Sequence, residues 1–75
     1  MTMGQQNKQG YSPVDNSTYD VLQALVSKLE ALAAYRQYEQ DVDQQTKGVF
    51  QTLIKEDQQH AQQLLQAAKQ ALQKY

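Results

Sequence analysis

Two side chains able to bind a metal ion, Asp57 and His60, are three residues apart in the segment IKEDQQHAQQLL, residues 54–65. At about 100° of rotation per residue, this spacing places both on one face of an α-helix. That face is otherwise apolar, with Asp57 in its middle, among Phe50, Leu53, Ile54, Ala61, Leu64 and Leu65. A carboxylate and an imidazole so placed can bind one ion. A site needs a third ligand, and Glu30 is the candidate, from the flank or from a second subunit.

The alternative interpretation of Asp57 is a structural ion pair with Arg36. An unpaired carboxylate within an apolar stripe is costly. Arg36 continues the column of Leu22, Leu25, Leu29 and Ala33. If the chain folds back about residue 46, Arg36 lies at the level of Asp57. The pair would then form within one hairpin or across a dimer, and His60 would be a half-buried histidine bonded to a tyrosine or a carboxylate.

Two long helices must position these residues. Helix one is predicted over residues 17–43, because Ser17 followed by Asp20 has the spacing of a capping box and Asn16 is an equally suitable cap. Its apolar residues recur with a helical period, at 22, 25, 26, 29, 32 and 33. The preceding residues, 1–15, are mostly polar and are expected to form a flexible leader.

Helix two is predicted over residues 47–74, with Thr46 as its cap. The polar segment DVDQQTKG, residues 41–48, contains a glycine and is the predicted turn. No segment alternates polar and apolar residues as a strand would. The predicted fold is therefore all-α, an antiparallel two-helix hairpin over residues 16–75.

A single hairpin of this size buries too little apolar surface to offset its chain entropy, which costs roughly 1.5 kcal/mol per residue. Helix one also has a second apolar flank that one neighbouring helix cannot cover, made of Val21, Ala24, Ala31, Tyr35, Tyr38 and Val42. We therefore predict a homodimer in which two hairpins form a four-helix bundle, with the possibility of a larger assembly.

The composition excludes several classes of function. The net charge is −1 and no block of like charge is present, so neither nucleic acid nor an anionic membrane is a predicted partner. Apolar runs are too short to span a bilayer, and no signal peptide is recognisable. Cysteine is absent, which excludes disulfides and thiolate metal sites. A cytoplasmic location is the default expectation, and the chain itself is the predicted partner.

The segments LEALAAYRQYEQD, residues 29–41, and EDQQHAQQLL, residues 56–65, resemble hairpins of the ferritin-like superfamily. The resemblance is to the short types, encapsulated ferritins and rubrerythrin-like proteins, and covers roughly residues 19–68. It implies iron bound at a subunit interface and ferroxidase-like oxidation of ferrous iron. The family's second-helix ligands, Glu-x-x-His, fall on Asp57 and His60. Its first-helix glutamate falls on Lys28, and Glu30 matches an acidic position of secondary sites.

Three functional hypotheses follow from these observations. The first is a ferritin-like structural or interaction protein without a complete di-iron centre and without a catalytic residue. The second is a protein that binds iron or another divalent metal, ferroxidase-like if it is an enzyme, with Asp57 and His60 completed at the dimer interface. The third is a coiled-coil adaptor that docks one helical face on a partner.

Overall fold

The computed structural model describes residues 12–75, which form two long helices joined by a short turn. Helix α1 covers Asn16–Asp41 and helix α2 covers Gln44–Leu72. The helices run antiparallel, and the molecule measures 48 × 21 × 15 Å along its principal axes. The predicted all-α helical hairpin is confirmed. Most of the predicted leader, residues 1–11, lies outside the described residues.

Each helix begins after an aspartate that caps it. The side chain of Asp15 accepts a hydrogen bond from the backbone N–H of Thr18, and that of Asp43 accepts one from Thr46, both at 2.8 Å. The same Asp-x-x-Thr pattern therefore starts both helices. The predicted caps Asn16, Ser17 and Thr46 were wrong, because a carboxylate three residues before a free N–H satisfies it directly.

The turn consists of Val42 and Asp43, so it is shorter and earlier than predicted. The chain folds back near residue 42 and not near residue 46, since Asp43 caps helix α2 immediately after α1 ends. This difference shifts the relative register of the two helices. It places Lys28 beside Asp57, and it places Glu39 beside Gln51, whose amide donates to the Glu39 carboxylate at 3.2 Å.

Residues that are buried or half-buried recur along both helices at alternating spacings of three and four, the spacing of a coiled coil, and we call this line of positions the seam. In α1 the seam positions are Thr18, Val21, Leu25, Lys28, Leu32, Tyr35 and Glu39. In α2 they are Phe50, Ile54, Asp57, Ala61, Leu64, Ala68 and Ala71, which lie on the face predicted for that helix. Among residues 12–75, Ala61 and Ala68 are the apolar residues classed as buried, so the core is thin.

The stripe predicted to be the main packing face of helix one lies largely outside the seam. Val26 is 46% exposed and Leu29 52%, and on α2 Leu65 is 37% and Leu72 44% exposed. The predicted stripe shares Leu25 and Leu32 with the seam, but its remaining exposed members show that the packing face of α1 is rotated towards the second flank. The seam instead takes Val21 and Tyr35, which had been assigned to the second flank.

The exposed side chains of Val26, Leu29, Leu65 and Leu72 lie on one side of the hairpin. Leu22, Leu29, Leu65 and Leu72 each follow a seam residue by one position. In an antiparallel pair of helices, equivalent flanking positions fall on the same side. We call this side the exposed strip; it consists of the exposed Val26, Leu29, Leu65 and Leu72 and the half-buried Leu22.

Polar and aromatic contacts tie the two ends of the hairpin. At the open end, the backbone N–H of Asp15 donates to the hydroxyl of Tyr75 at 2.8 Å, and Lys74 pairs with the Asp15 carboxylate. Near the turn, the rings of Tyr35, Tyr38 and Phe50 contact one another, with centroids 5.8–6.4 Å apart. Within residues 12–75, neither helix is long and apolar enough to cross a membrane.

Candidate functional site

The most buried charged group of the described chain is the carboxylate of Asp57, which bonds to two basic side chains. Its Oδ1 lies 3.0 Å from Lys28 Nζ and 3.0 Å from His60 Nδ1. The Asp57 side chain is 12% exposed, whereas Lys28 is 38% and His60 53% exposed. We call this group the Lys28–Asp57–His60 cluster. One carboxylate oxygen thus faces two nitrogens at the middle of the seam.

The fold positions each member of the cluster for a simple reason. Lys28 and Asp57 both occupy seam positions and lie at the same level once the chain folds back at residues 42–43. The alkyl stem of a lysine can lie along apolar surface while its ammonium reaches a polar group. His60 is three residues after Asp57 on α2, so its ring lies beside the carboxylate at the edge of the seam.

Hydrogen bonds keep the Asp57 carboxylate ionised. The bond from His60 and then that from Lys28 lower the pKa of Asp57 below its ordinary value of 3.8, while burial acts in the opposite direction. An ionised carboxylate can only accept hydrogen bonds, so the proton of the contact lies on His60 Nδ1. Oδ1 of the carboxylate is therefore paired with two basic side chains of the same chain.

Arg36 is not the cation that pairs with Asp57 within the hairpin. Arg36 is exposed, and Lys28 takes the place that the sequence interpretation gave to it. The physical reason is the register of the two helices. Folding at residues 42–43 brings Asp57 opposite Lys28, which lies eight positions before Arg36 in α1. An Arg36–Asp57 pair between two chains stays a prediction.

The three residues predicted to bind a metal do not come together within one chain. Glu30 is exposed and follows Lys28 by two residues, about 200° around the helix axis. Within residues 12–75, no three His, Cys, Asp or Glu side chains are grouped in a way that could hold a metal ion. Completion of an Asp57–His60 site by Glu30 from a second chain stays a prediction.

The cluster also does not fit the iron centre implied by the ferritin-like resemblance. A bridging carboxylate would be needed at residue 28, and the lysine there places an ammonium 3.0 Å from the Asp57 oxygen that a metal would use. A cation already held by the carboxylate competes with an incoming metal ion.

Sequence reasoning missed Lys28 as the partner of Asp57, although a signal was present. The spacing of Leu25, Lys28, Leu32 and Tyr35, in steps of three and four, is that of a coiled-coil seam and includes the lysine. A search for charged residues at such positions would have found it. The contacts of Asp15 with Lys74 and Tyr75 were also missed, since nothing local in the sequence joins residues about sixty positions apart.

Comparison with known proteins gives no relative: no protein-family model, curated protein or solved structure matches the chain.

Proposed function

We propose that the chain is a structural or interaction protein whose working form is a homodimeric four-helix bundle. The Lys28–Asp57–His60 cluster is then an ionic contact that fixes the register of the hairpin, and it is neither a catalytic nor a metal centre. The single observation that carries the proposal is the exposed strip. The likeness to ferritin-like proteins stays a prediction about the scaffold.

The exposed strip supports a second hairpin as the missing packing partner. Burying one Val or Leu side chain completely contributes about 1.5–3 kcal/mol. Val26, Leu29, Leu65 and Leu72 are each roughly half exposed, and a symmetric dimer covers all four of them twice. Their burial therefore contributes about 6–12 kcal/mol, comparable to the loss of translational and rotational freedom on association, about 4–15 kcal/mol. We expect a dimer that dissociates on dilution.

The Lys28–Asp57–His60 cluster supports a structural role because its charges are already paired. A buried carboxylate without a partner would favour a cation from solution, but Asp57 has a lysine and a histidine within 3.0 Å. Pairing one acidic and one basic seam residue also disfavours other registers, since a shift of either helix separates the charges. The cluster thus selects one alignment of two otherwise similar apolar faces.

Sedimentation equilibrium of the full chain tests the proposal. We expect a monomer–dimer equilibrium that Leu29→Gln shifts towards monomer by at least tenfold in Kd. Val49→Gln is the matched control, since Val49 is 57% exposed but lies outside the exposed strip and should leave Kd unchanged. A well-folded wild-type monomer at all concentrations, or equal effects of the two variants, would contradict the dimer.

The same samples separate the proposal from the metal-binding hypothesis. After addition of ferrous iron, we expect no stoichiometric iron on the purified protein and no oxygen uptake above that of buffer. Iron bound in a way that Asp57→Asn and His60→Gln both abolish would contradict the structural role of the cluster. A folded monomer that exposes its strip would instead favour the coiled-coil adaptor.

A further inference from the structure

The exposed strip on α1 is nearly symmetric about Val26. Leu22 lies four residues before Val26 and Leu29 three residues after it. Charged residues of opposite sign extend the same flank at both ends, Asp15 eleven residues before Val26 and Arg36 ten residues after it. Leu22, Leu29 and Arg36 are spaced by seven residues and occupy equivalent positions of the coiled-coil repeat, and Asp15, the cap of α1, lies seven residues before Leu22.

The apolar residues match in either direction, but the two charged residues match only when the pattern is reversed. In an antiparallel arrangement about a twofold axis, Val26 meets the partner's Val26 and Leu22 meets the partner's Leu29. Each Arg36 then lies at the level of the partner's Asp15, and the symmetry forms this contact twice. A parallel arrangement would place Arg36 against Arg36 and Asp15 against Asp15, which is unfavourable for like charges.

The Asp15 carboxylate has room for such a contact. Its side chain is 45% exposed, although one oxygen accepts the Thr18 N–H and the other pairs with Lys74. These bonds hold the pKa of Asp15 well below its ordinary value, so the group is an anion throughout the neutral range. Arg36 is also exposed, and a guanidinium suits a carboxylate that is already fixed in orientation.

We propose that the partner on the exposed strip is a second copy of this chain, bound with its α1 antiparallel to the first, with a twofold axis at Val26 and with Arg36 beside the partner's Asp15. This inference rests on the dimer proposed above and adds its geometry. In this geometry the α1 helices of the two chains pack against each other at the centre of the bundle, and Val26 lies on the twofold axis.

Disulfide cross-linking tests the geometry directly, because the chain has no cysteine of its own. A disulfide requires Cα atoms about 4.4–6.8 Å apart, so a residue on the twofold axis can link to its own copy. We expect Val26→Cys to give a covalent dimer under mild oxidation. Val49→Cys is the control at an exposed valine outside the exposed strip, and we expect it to stay monomeric on a non-reducing gel.

The charge contact is tested by two variants that each lower the net charge by one. Arg36→Gln removes the proposed contact twice per dimer, and we expect a two- to tenfold weaker Kd that no longer depends on salt. Gln37→Glu, next to it on the exposed back of α1, should leave Kd within a factor of two.

The outcomes separate this geometry from the dimer itself. A wild-type dimer whose Val26→Cys variant does not cross-link, or in which Arg36→Gln and Gln37→Glu have equal effects, overturns the geometry and leaves the dimer standing. A folded wild-type monomer overturns both. Cross-linking of Val26→Cys together with a selective effect of Arg36→Gln establishes the antiparallel pairing.

Discussion

At the residue scale, a carboxylate at a seam position determines what the facing helix must offer. Asp57 lies where a coiled-coil seam normally holds a leucine or isoleucine. Its helix supplies one partner, His60, and the facing helix supplies the other, Lys28. The Lys28–Asp57 pair fixes the register of the two helices but adds little to the free energy of unfolding, because the cost of removing the charges from water offsets much of their attraction.

A double-mutant cycle on Lys28 and Asp57 should show strong coupling. Lys28→Met and Asp57→Leu should each lower the free energy of unfolding, because the first leaves the Asp57 carboxylate with His60 alone and the second leaves the Lys28 ammonium without its carboxylate. The double variant should be at least as stable as the wild type, since two apolar side chains complete the seam. Urea unfolding monitored by circular dichroism measures all four proteins.

Arg36 provides the control for this cycle. Combining Arg36→Met with Asp57→Leu should give additive changes, because Arg36 is exposed and the cation at Asp57 is Lys28. Additive behaviour of the Lys28 and Asp57 variants would contradict the assignment of the cluster. Coupling between Arg36 and Asp57 would instead restore their pairing across two chains.

At the element scale, helix α2 contains a glycine, Gly48, whose replacement should stabilise the helix. This glycine lies within Gln44–Leu72, and a Cβ built on it meets nothing within 4 Å beyond its chain neighbours and the adjacent backbone of its own helix. Glycine in a helix costs roughly 0.5–1 kcal/mol relative to alanine. Gly48→Ala should therefore raise the free energy of unfolding by that amount and the melting temperature by several degrees.

The measurement is thermal and urea unfolding at one fixed protein concentration, because dimerisation also affects the melting temperature. Ala68→Gly, at a buried seam position of the same helix, is the opposite control and should be destabilising. No gain from Gly48→Ala would mean that residue 48 has a contact which the hairpin alone does not contain.

The two helices differ in how well the sequence predicted them. Helix α2 has one apolar stripe, and its packing face followed directly from the helical period. Helix α1 has two adjacent stripes, so local periodicity could not decide which one faces α2. The choice depended on the turn, and an aspartate cap at residue 43 in place of Thr46 changed the register enough to exchange Arg36 for Lys28. The sequence predicted that Asp57 is buried because this residue interrupts a clear apolar stripe. It did not predict Lys28 as the partner, because that pairing depends on how the two helices align in the folded chain.

At the scale of the whole molecule, a thin core makes stability depend on its few ionic and capping contacts. Asp15, Asp43 and Asp57 all have pKa values lowered by hydrogen bonds in the folded chain. A group with a lowered folded pKa stabilises the fold above its unfolded pKa, about 3.9 for aspartate, and loses this contribution as the pH falls through the folded value. The chain should therefore become less stable below about pH 4.

This acid sensitivity can be traced to single carboxylates. We expect a melting temperature that is nearly constant between about pH 5 and 8 and that falls steeply below about pH 4. Asp57→Asn should lower the melting temperature at neutral pH and make the decline below pH 4 shallower. Glu56→Gln, which removes an adjacent exposed carboxylate, is the matched control. An identical acid decline in Asp57→Asn and the wild type would show that Asp57 takes up no proton on unfolding.

The contact between Asp15 and Tyr75 has a mechanical consequence. It places both ends of the hairpin side by side, 60 positions apart in sequence but joined by one hydrogen bond of 2.8 Å. A pulling force applied at these ends would act across the seam. The contacts between α1 and α2 would therefore break one after another, starting from the open end. The ion pair between Lys74 and Asp15 would break first. The ion pair between Lys28 and Asp57 would bear the force only after the helix turns between it and the open end had separated.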